Sequence, residues 1–110
     1  MKTSLFNDTI ENIRAAADII RDGGLVAFPT ETVYGLGADA LNSEAARKVY
    51  AAKGRPSDNP MIVHIADTSE LSKLTDDISS DMRALMDAFW PGPMTMIVRR
   101  KDIVPDVTTG

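Results

Sequence analysis

The chain has 110 residues, 44% hydrophobic and 25% charged, so one small globular domain with a packed core is expected. Its net charge of -4 at pH 7 argues against a generic nucleic-acid binder, although a local basic cleft on an acidic body remains compatible with it. With no cysteine, no apolar run of about 20 residues and no apolar leader stretch, the sequence excludes a disulfide framework, a thiolate metal site and a membrane span, and a cytoplasmic location is expected.

Residues 7–21 are predicted to form the first helix, because Ile10, Ile13, Ala17 and Ile20 recur at helical spacing and define one buried stripe. Asn7 or Asp8 is the expected cap, and Gly23 and Gly24 end the helix. Leu25, Val26, Ala27 and Phe28 then read as a central strand buried on both faces. Pro29 stops its ladder, having no N–H. Thr30, Glu31, Thr32 and Tyr34 follow at the strand's C-terminal end, where open α/β sheets bind ligands. Gly35 and Gly37 formally open a G-x-G-x-x-A pattern. It lies too far from the strand, and no helical pattern starts at Gly37, so the glycines are expected to serve a tight turn.

Asn42 or Ser43 should cap a second helix that runs to Lys53, with Ala45, Ala46, Val49 and Tyr50 as its apolar stripe and Arg47 and Lys48 solvated. Gly54 is its stop signal. The loop that follows, Lys-Gly-Arg-Pro-Ser-Asp-Asn-Pro (53–60), is stiffened by Pro56 and Pro60. Lys53, Arg55, Ser57 and Asn59 give it a donor set suited to an anion, most naturally a phosphate. The competing reading is a solvated turn in which Lys53 and Arg55 answer the helix dipole.

Residues 61–66 read as a second strand buried on both faces, and strand, helix, strand in this order suggests a crossover. Residues 67–70 resemble a capping box that starts a short helix through Leu71 and Leu74. A further helix spans 79–89, with Met82, Leu85, Met86 and Phe89 as a core stripe. Trp90, Pro91, Gly92 and Pro93 form a rigid turn, residues 94–98 a third strand, and Arg99, Arg100 and Lys101 a basic run. The tail, 102–110, is β-rich with no element after it.

His64 is the only histidine, and on a buried strand it is either a hydrogen-bonded core residue or, beside the cationic loop, a partner for a carboxylate or carbonyl. A lone histidine without cysteine does not build a zinc site, so no metal is expected to be held by protein side chains alone. Neither a nucleophile–base motif nor a Walker A pattern occurs, and Glu31 is either a base or a structural acceptor. Nucleotide chemistry here would rest on positioning and on charge neutralisation by Lys53, Arg55 and magnesium.

Residues 23–37 (Gly-Gly-Leu-Val-Ala-Phe-Pro-Thr-Glu-Thr-Val-Tyr-Gly-Leu-Gly), the loop 53–60, His64 and Trp-Pro-Gly-Pro-Met-Thr (90–95) occur in an order and spacing that resemble the YrdC-type L-threonylcarbamoyladenylate synthases. The resemblance implies an α/β fold, an open twisted mixed sheet with helices packed on it, of the YrdC-like and butanone-phosphate-synthase-like architecture. It implies formation of threonylcarbamoyl-AMP and pyrophosphate from L-threonine, bicarbonate and ATP with Mg2+. A downstream transferase complex would move the threonylcarbamoyl group to the tRNA adenosine beside the anticodon, and tRNA or double-stranded RNA is a further partner. By the same resemblance Thr32, His64, Thr30 and Tyr34 serve the threonine substrate. Lys53, Arg55, Ser57 and Asn59 serve the nucleotide, with Lys53 and Arg55 stabilising charge in the reaction. The family's later Arg-bearing strand and Ser-Ala-Asn motif are not found before Gly110, so residues 1–110 are expected to be a YrdC-like domain incomplete at its C-terminus. The alternatives are a carbamoyl-transfer relative, an RNA-binding module and an inactive fragment.

Overall fold

The computed structural model describes residues 2–56 and 59–110. The elements run α1 (Ile10–Arg21), β1 (Val26–Phe28), β2 (Gly35–Gly37), α2 (Ser43–Lys53), a 3-10 turn (Thr68–Glu70), α3 (Leu71–Leu74), α4 (Ser80–Phe89) and α5 (Asp106–Thr109). The expected α/β class holds, with an open sheet and helices against it. Among the described residues that sheet consists of β1 and β2, paired antiparallel with Val26 opposite Gly37 and Phe28 opposite Gly35.

Helix α1 begins later than expected, because Thr9 rather than Asn7 or Asp8 caps it: the Thr9 hydroxyl accepts the Asn12 N–H at 3.2 Å. Its apolar stripe does form, but Ile10 and Ile13 lie on the surface and only Ile20 is half-buried. Periodicity identifies an amphipathic face. It does not supply whatever covers that face.

β1 is not a strand buried on both faces. Ala27 and Phe28 are exposed, and its one ladder neighbour among the described residues is β2. Gly35 and Gly37 form that neighbour instead of a tight turn. The Phe28 ring explains the glycines: a Cβ on Gly37 would come within 2.7 Å of it, and one on Gly35 within 3.2 Å. The phenyl ring can lie across β2 only because both positions lack a side chain.

Helix α2 follows its sequence closely. The Asn42 side chain accepts the N–H groups of Glu44 and Ala45 at 3.1 and 3.2 Å, and Ala45, Ala46, Val49 and Tyr50 are buried. Gly54 ends the helix in the left-handed conformation at φ 64, and the Arg55 N–H returns to the Tyr50 carbonyl at 3.1 Å. Lys48 is more than a solvated charge, since its Nζ donates to the Gly23 carbonyl at 2.9 Å and ties α2 to the turn before β1.

Residues 61–66 and 94–98 do not become strands among the described residues. Both alternate between half-buried and exposed positions, as a half-buried strand would, yet neither has a ladder partner. Met61, Val63 and Ile65 turn inward while Ile62 and His64 turn out. The expected crossover is therefore not seen among the described residues. An extended conformation is a local property, whereas a strand needs a neighbour.

Asp67 caps its turn, accepting the Ser69 N–H at 2.9 Å, and Ser79, expected as the first residue of the next helix, is instead its cap, accepting the Met82 N–H at 3.2 Å. The stripe on α4 is core only at Met86; Met82 is half-buried, and Leu85 and Phe89 are exposed. The tail is helical, not β. Val104 and Thr108 are buried in it, and α5 packs against α2. Thr108 seals this contact by donating its hydroxyl to the Ala40 carbonyl at 2.7 Å.

Candidate functional site

Helix α2 delivers the cationic loop. Lys53 is its last residue, Gly54 reverses the backbone, and Arg55 follows at once, so both cations are exposed at the helix end. The helix C-terminus is the negative end of the macrodipole, which favours these cations and opposes a bare anion. Any anion bound there is held by side chains, against the helix field. Asn59 is exposed as well, but its backbone carbonyl is tied inward by the Tyr50 hydroxyl. Ser57, the fourth expected member, lies outside the described residues.

The second cluster sits on residues 29–34, which connect β1 to β2. The Thr30 hydroxyl accepts the N–H groups of Thr32 and Val33 at 3.3 and 3.2 Å and donates to the Val33 carbonyl. One side chain thus folds the loop. Thr32, Tyr34 and Glu31 are left on its exposed surface, Tyr34 at 77% exposure. Thr30, expected as a wall of a substrate pocket, has its own loop for a hydrogen-bond partner.

His64 is exposed rather than buried. Its Nδ1 lies 3.0 Å from the Ile62 carbonyl. A carbonyl only accepts, so this nitrogen carries the proton. In the neutral ring that leaves Nε2 as an acceptor.

The structure brings Lys53, Arg55 and Asn59 into one loop and Thr30, Thr32 and Tyr34 into another. No hydrogen bond or ion pair among the described residues joins these two groups to each other or to His64. Helix α2 connects them indirectly, through Lys48 to the turn before β1 and through Gly54 to the cationic loop. Among the described residues no group of three or more His, Asp or Glu side chains is placed to hold a metal. The donor set of the loop is cationic, so a magnesium ion there fits only as a passenger on phosphate oxygens.

A concavity of about 760 Å³ lies elsewhere, lined by Asp76, Asp77, Arg99, Arg100, Lys101 and Asp102. Only the basic run announced it in the sequence. Three aspartates and three cations line it, with Lys101 Nζ 3.1 Å from Asp76, while Arg100 pairs with Asp106 outside the lining. The Lys101 N–H donates to the Leu74 carbonyl at 2.7 Å, and the buried Thr75 hydroxyl donates to the Arg99 carbonyl. These bonds make the concavity a junction between α3 and the segment after residue 98. No helix among the described residues is long and apolar enough to cross a membrane.

Residues 18–110 match the Sua5/YciO/YrdC family model, described as telomere recombination. The chain is 54% identical over 100 residues to the threonylcarbamoyl-AMP synthase of Bacillus subtilis and 52% identical over 98 residues to that of Pyrococcus abyssi. Each match covers 89% of this chain and 29% of the relative, so the chain spans less than a third of their length. Among solved structures, P. abyssi Sua5 complexed with L-threonine superposes with a TM-score of 0.84 at 50% identity, over 89% of this chain and 29% of that one.

Proposed function

The chain belongs to the Sua5/YciO/YrdC family, and from that membership we propose that it works as an L-threonylcarbamoyladenylate synthase, a nucleotidyltransferase of tRNA modification. The observation that carries this reading is the likeness, at 50% identity, to a Sua5 complexed with L-threonine. In the proposed reaction the threonine amine is carboxylated from bicarbonate with loss of water. A carbamate oxygen then attacks the α-phosphorus of ATP, and pyrophosphate leaves. Thr32, Tyr34 and His64 receive the threonine, with Thr30 shaping the loop beneath them. With Nδ1 turned to the Ile62 carbonyl, the neutral His64 ring offers Nε2 to an ammonium or hydroxyl group.

Lys53 and Arg55 meet the nucleotide phosphates, and the sequence adds Ser57 and Asn59 to them. Two anions approach each other in this chemistry, and fixed cations offset their repulsion without reorganising. Magnesium, carried in with ATP, would supply further phosphate neutralisation. The product then passes to a cytoplasmic transferase that acts on tRNA.

The test is pyrophosphate release by the full chain with ATP, bicarbonate and L-threonine, each omitted in turn. Release that needs all three is expected. ATP turnover indifferent to threonine would overturn the reading, and competition by carbamoyl phosphate in place of threonine would move the chain to a carbamoyl-transfer role.

A further inference from the structure

Tyr50 lies in the apolar stripe of α2 and is 6% exposed, so its ring belongs to the core. A buried phenol still needs a partner for its hydroxyl. Here the hydroxyl meets two carbonyls, those of Asn59 and of Val107, the latter at 3.1 Å. The same residue's own carbonyl accepts the Arg55 N–H at 3.1 Å. Tyr50 therefore grips the chain at residue 55 with its main chain and at residue 59 with its side chain.

The loop's composition explains why a side chain is recruited. Pro56 and Pro60 have no N–H, so the segment has few backbone donors for its own carbonyls. The grip extends to the tail, because the Met61 N–H donates to the Thr108 carbonyl at 3.0 Å and α5 packs on α2. Loop exit and tail helix are thus fixed to one buried ring.

We propose that Tyr50 is a positioning residue of the nucleotide loop: it sets the separation and facing of Arg55 and Asn59 by holding both ends of residues 55–59 against α2 and α5. This rests on reading residues 53–60 as the nucleotide loop. Tyr50 itself touches no reactant. It acts on affinity for the phosphates, which depends on where the charges are held before binding.

Tyr50→Phe deletes one oxygen and keeps the ring that fills the core. Thr75→Val is the control. It removes another buried hydroxyl, 1% exposed and bonded to the Arg99 carbonyl, away from the loop. In the full chain, Tyr50→Phe is expected to raise the KM for ATP at least fivefold while the KM for L-threonine moves less than twofold, and Thr75→Val to leave the ATP KM within twofold. An unchanged ATP KM in Tyr50→Phe, or an equal rise in Thr75→Val, would overturn the proposal. Amide hydrogen exchange without nucleotide gives a second decision that does not depend on the enzymatic reading. Faster exchange confined to the Arg55 and Met61 amides in Tyr50→Phe supports the positioning role, and uniform or absent acceleration refutes it. Should the parent chain show no ATP turnover at all, the functional reading fails and the exchange result still decides the role of Tyr50.

Discussion

Thr30 uses its whole hydrogen-bonding capacity inside its own loop, one proton donated and two N–H groups accepted. A threonine just past a strand end reads from sequence as a substrate contact, because nothing in one dimension shows where its hydroxyl points. The structure makes it the residue that shapes the surface on which Thr32 and Tyr34 stand. Thr30→Val removes those bonds at nearly constant volume. Loop bonds at an exposed site contribute roughly 0.5–1 kcal/mol, so on the proposed function L-threonine affinity should fall about two- to fivefold. Thr30→Ser should retain it. Calorimetric titration with L-threonine measures both, and equal affinities for Val and Ser would remove Thr30 from this role. Tyr50 shows the converse: its stripe position marks it as core, and that is correct, but the partners of its hydroxyl are far along the chain at residues 59 and 107.

Among the elements, the longer helices were the legible part. Asn42 and Asp67 cap where the sequence places a cap, since a cap is decided within four residues, whereas Thr9 and Ser79 cap helices that start one to three residues later than expected. Asp67 carries a testable consequence. The N–H of Ser69 favours its ionised form and holds its carboxyl below the ordinary value. A depressed carboxylate contributes stability that is fully present above the unfolded pKa of about 3.9 and is lost as pH falls through the folded value. Asp67→Asn keeps a cap but cannot ionise. The thermal midpoint of the parent should exceed that of Asp67→Asn near neutrality, by a gap that stays constant down to about pH 4 and narrows below it. Circular dichroism across that range checks this, and a gap independent of pH would show that the charge is not what stabilises the turn. Strands were less legible for a physical reason. Residues 61–66 and 94–98 have the composition and the alternation, but a ladder is made by two segments, and β-propensity describes only one.

For the whole molecule, surface is the telling quantity. The accessible area is 8452 Å² at 11.9 kDa, where a packed monomer of that mass exposes about 5,900 Å². Ile10, Ile13, Leu85, Phe89 and Ile97 lie on that surface, and the buried apolar set is small: Ala45, Ala46, Val49, Tyr50, Leu71, Met86 and Val104. Stability should therefore concentrate in few side chains. Met86→Ala is expected to cost about 2–5 kcal/mol, a large part of the total for a domain of this size, and to lower the urea midpoint sharply. Phe89→Ala, on the same helix and 60% exposed, should stay within about 0.5 kcal/mol. Similar losses for the two would mean that the whole α4 stripe is core after all.

By itself the sequence determined the family motifs, the helix α2 with its stripe and its glycine end, the Asn42 and Asp67 caps and the residue types gathered at the two candidate loops. Each of these depends on neighbours a few residues apart, or on motif order. Only the tertiary structure decided that β1 pairs with the glycine segment beneath Phe28, that the tail is a helix closing on α2, that Met86 alone of its stripe is buried, and that the Tyr50 hydroxyl meets the carbonyls of Asn59 and Val107. Those outcomes depend on which distant segments share a contact, and a linear pattern encodes the surfaces of such contacts without their partners.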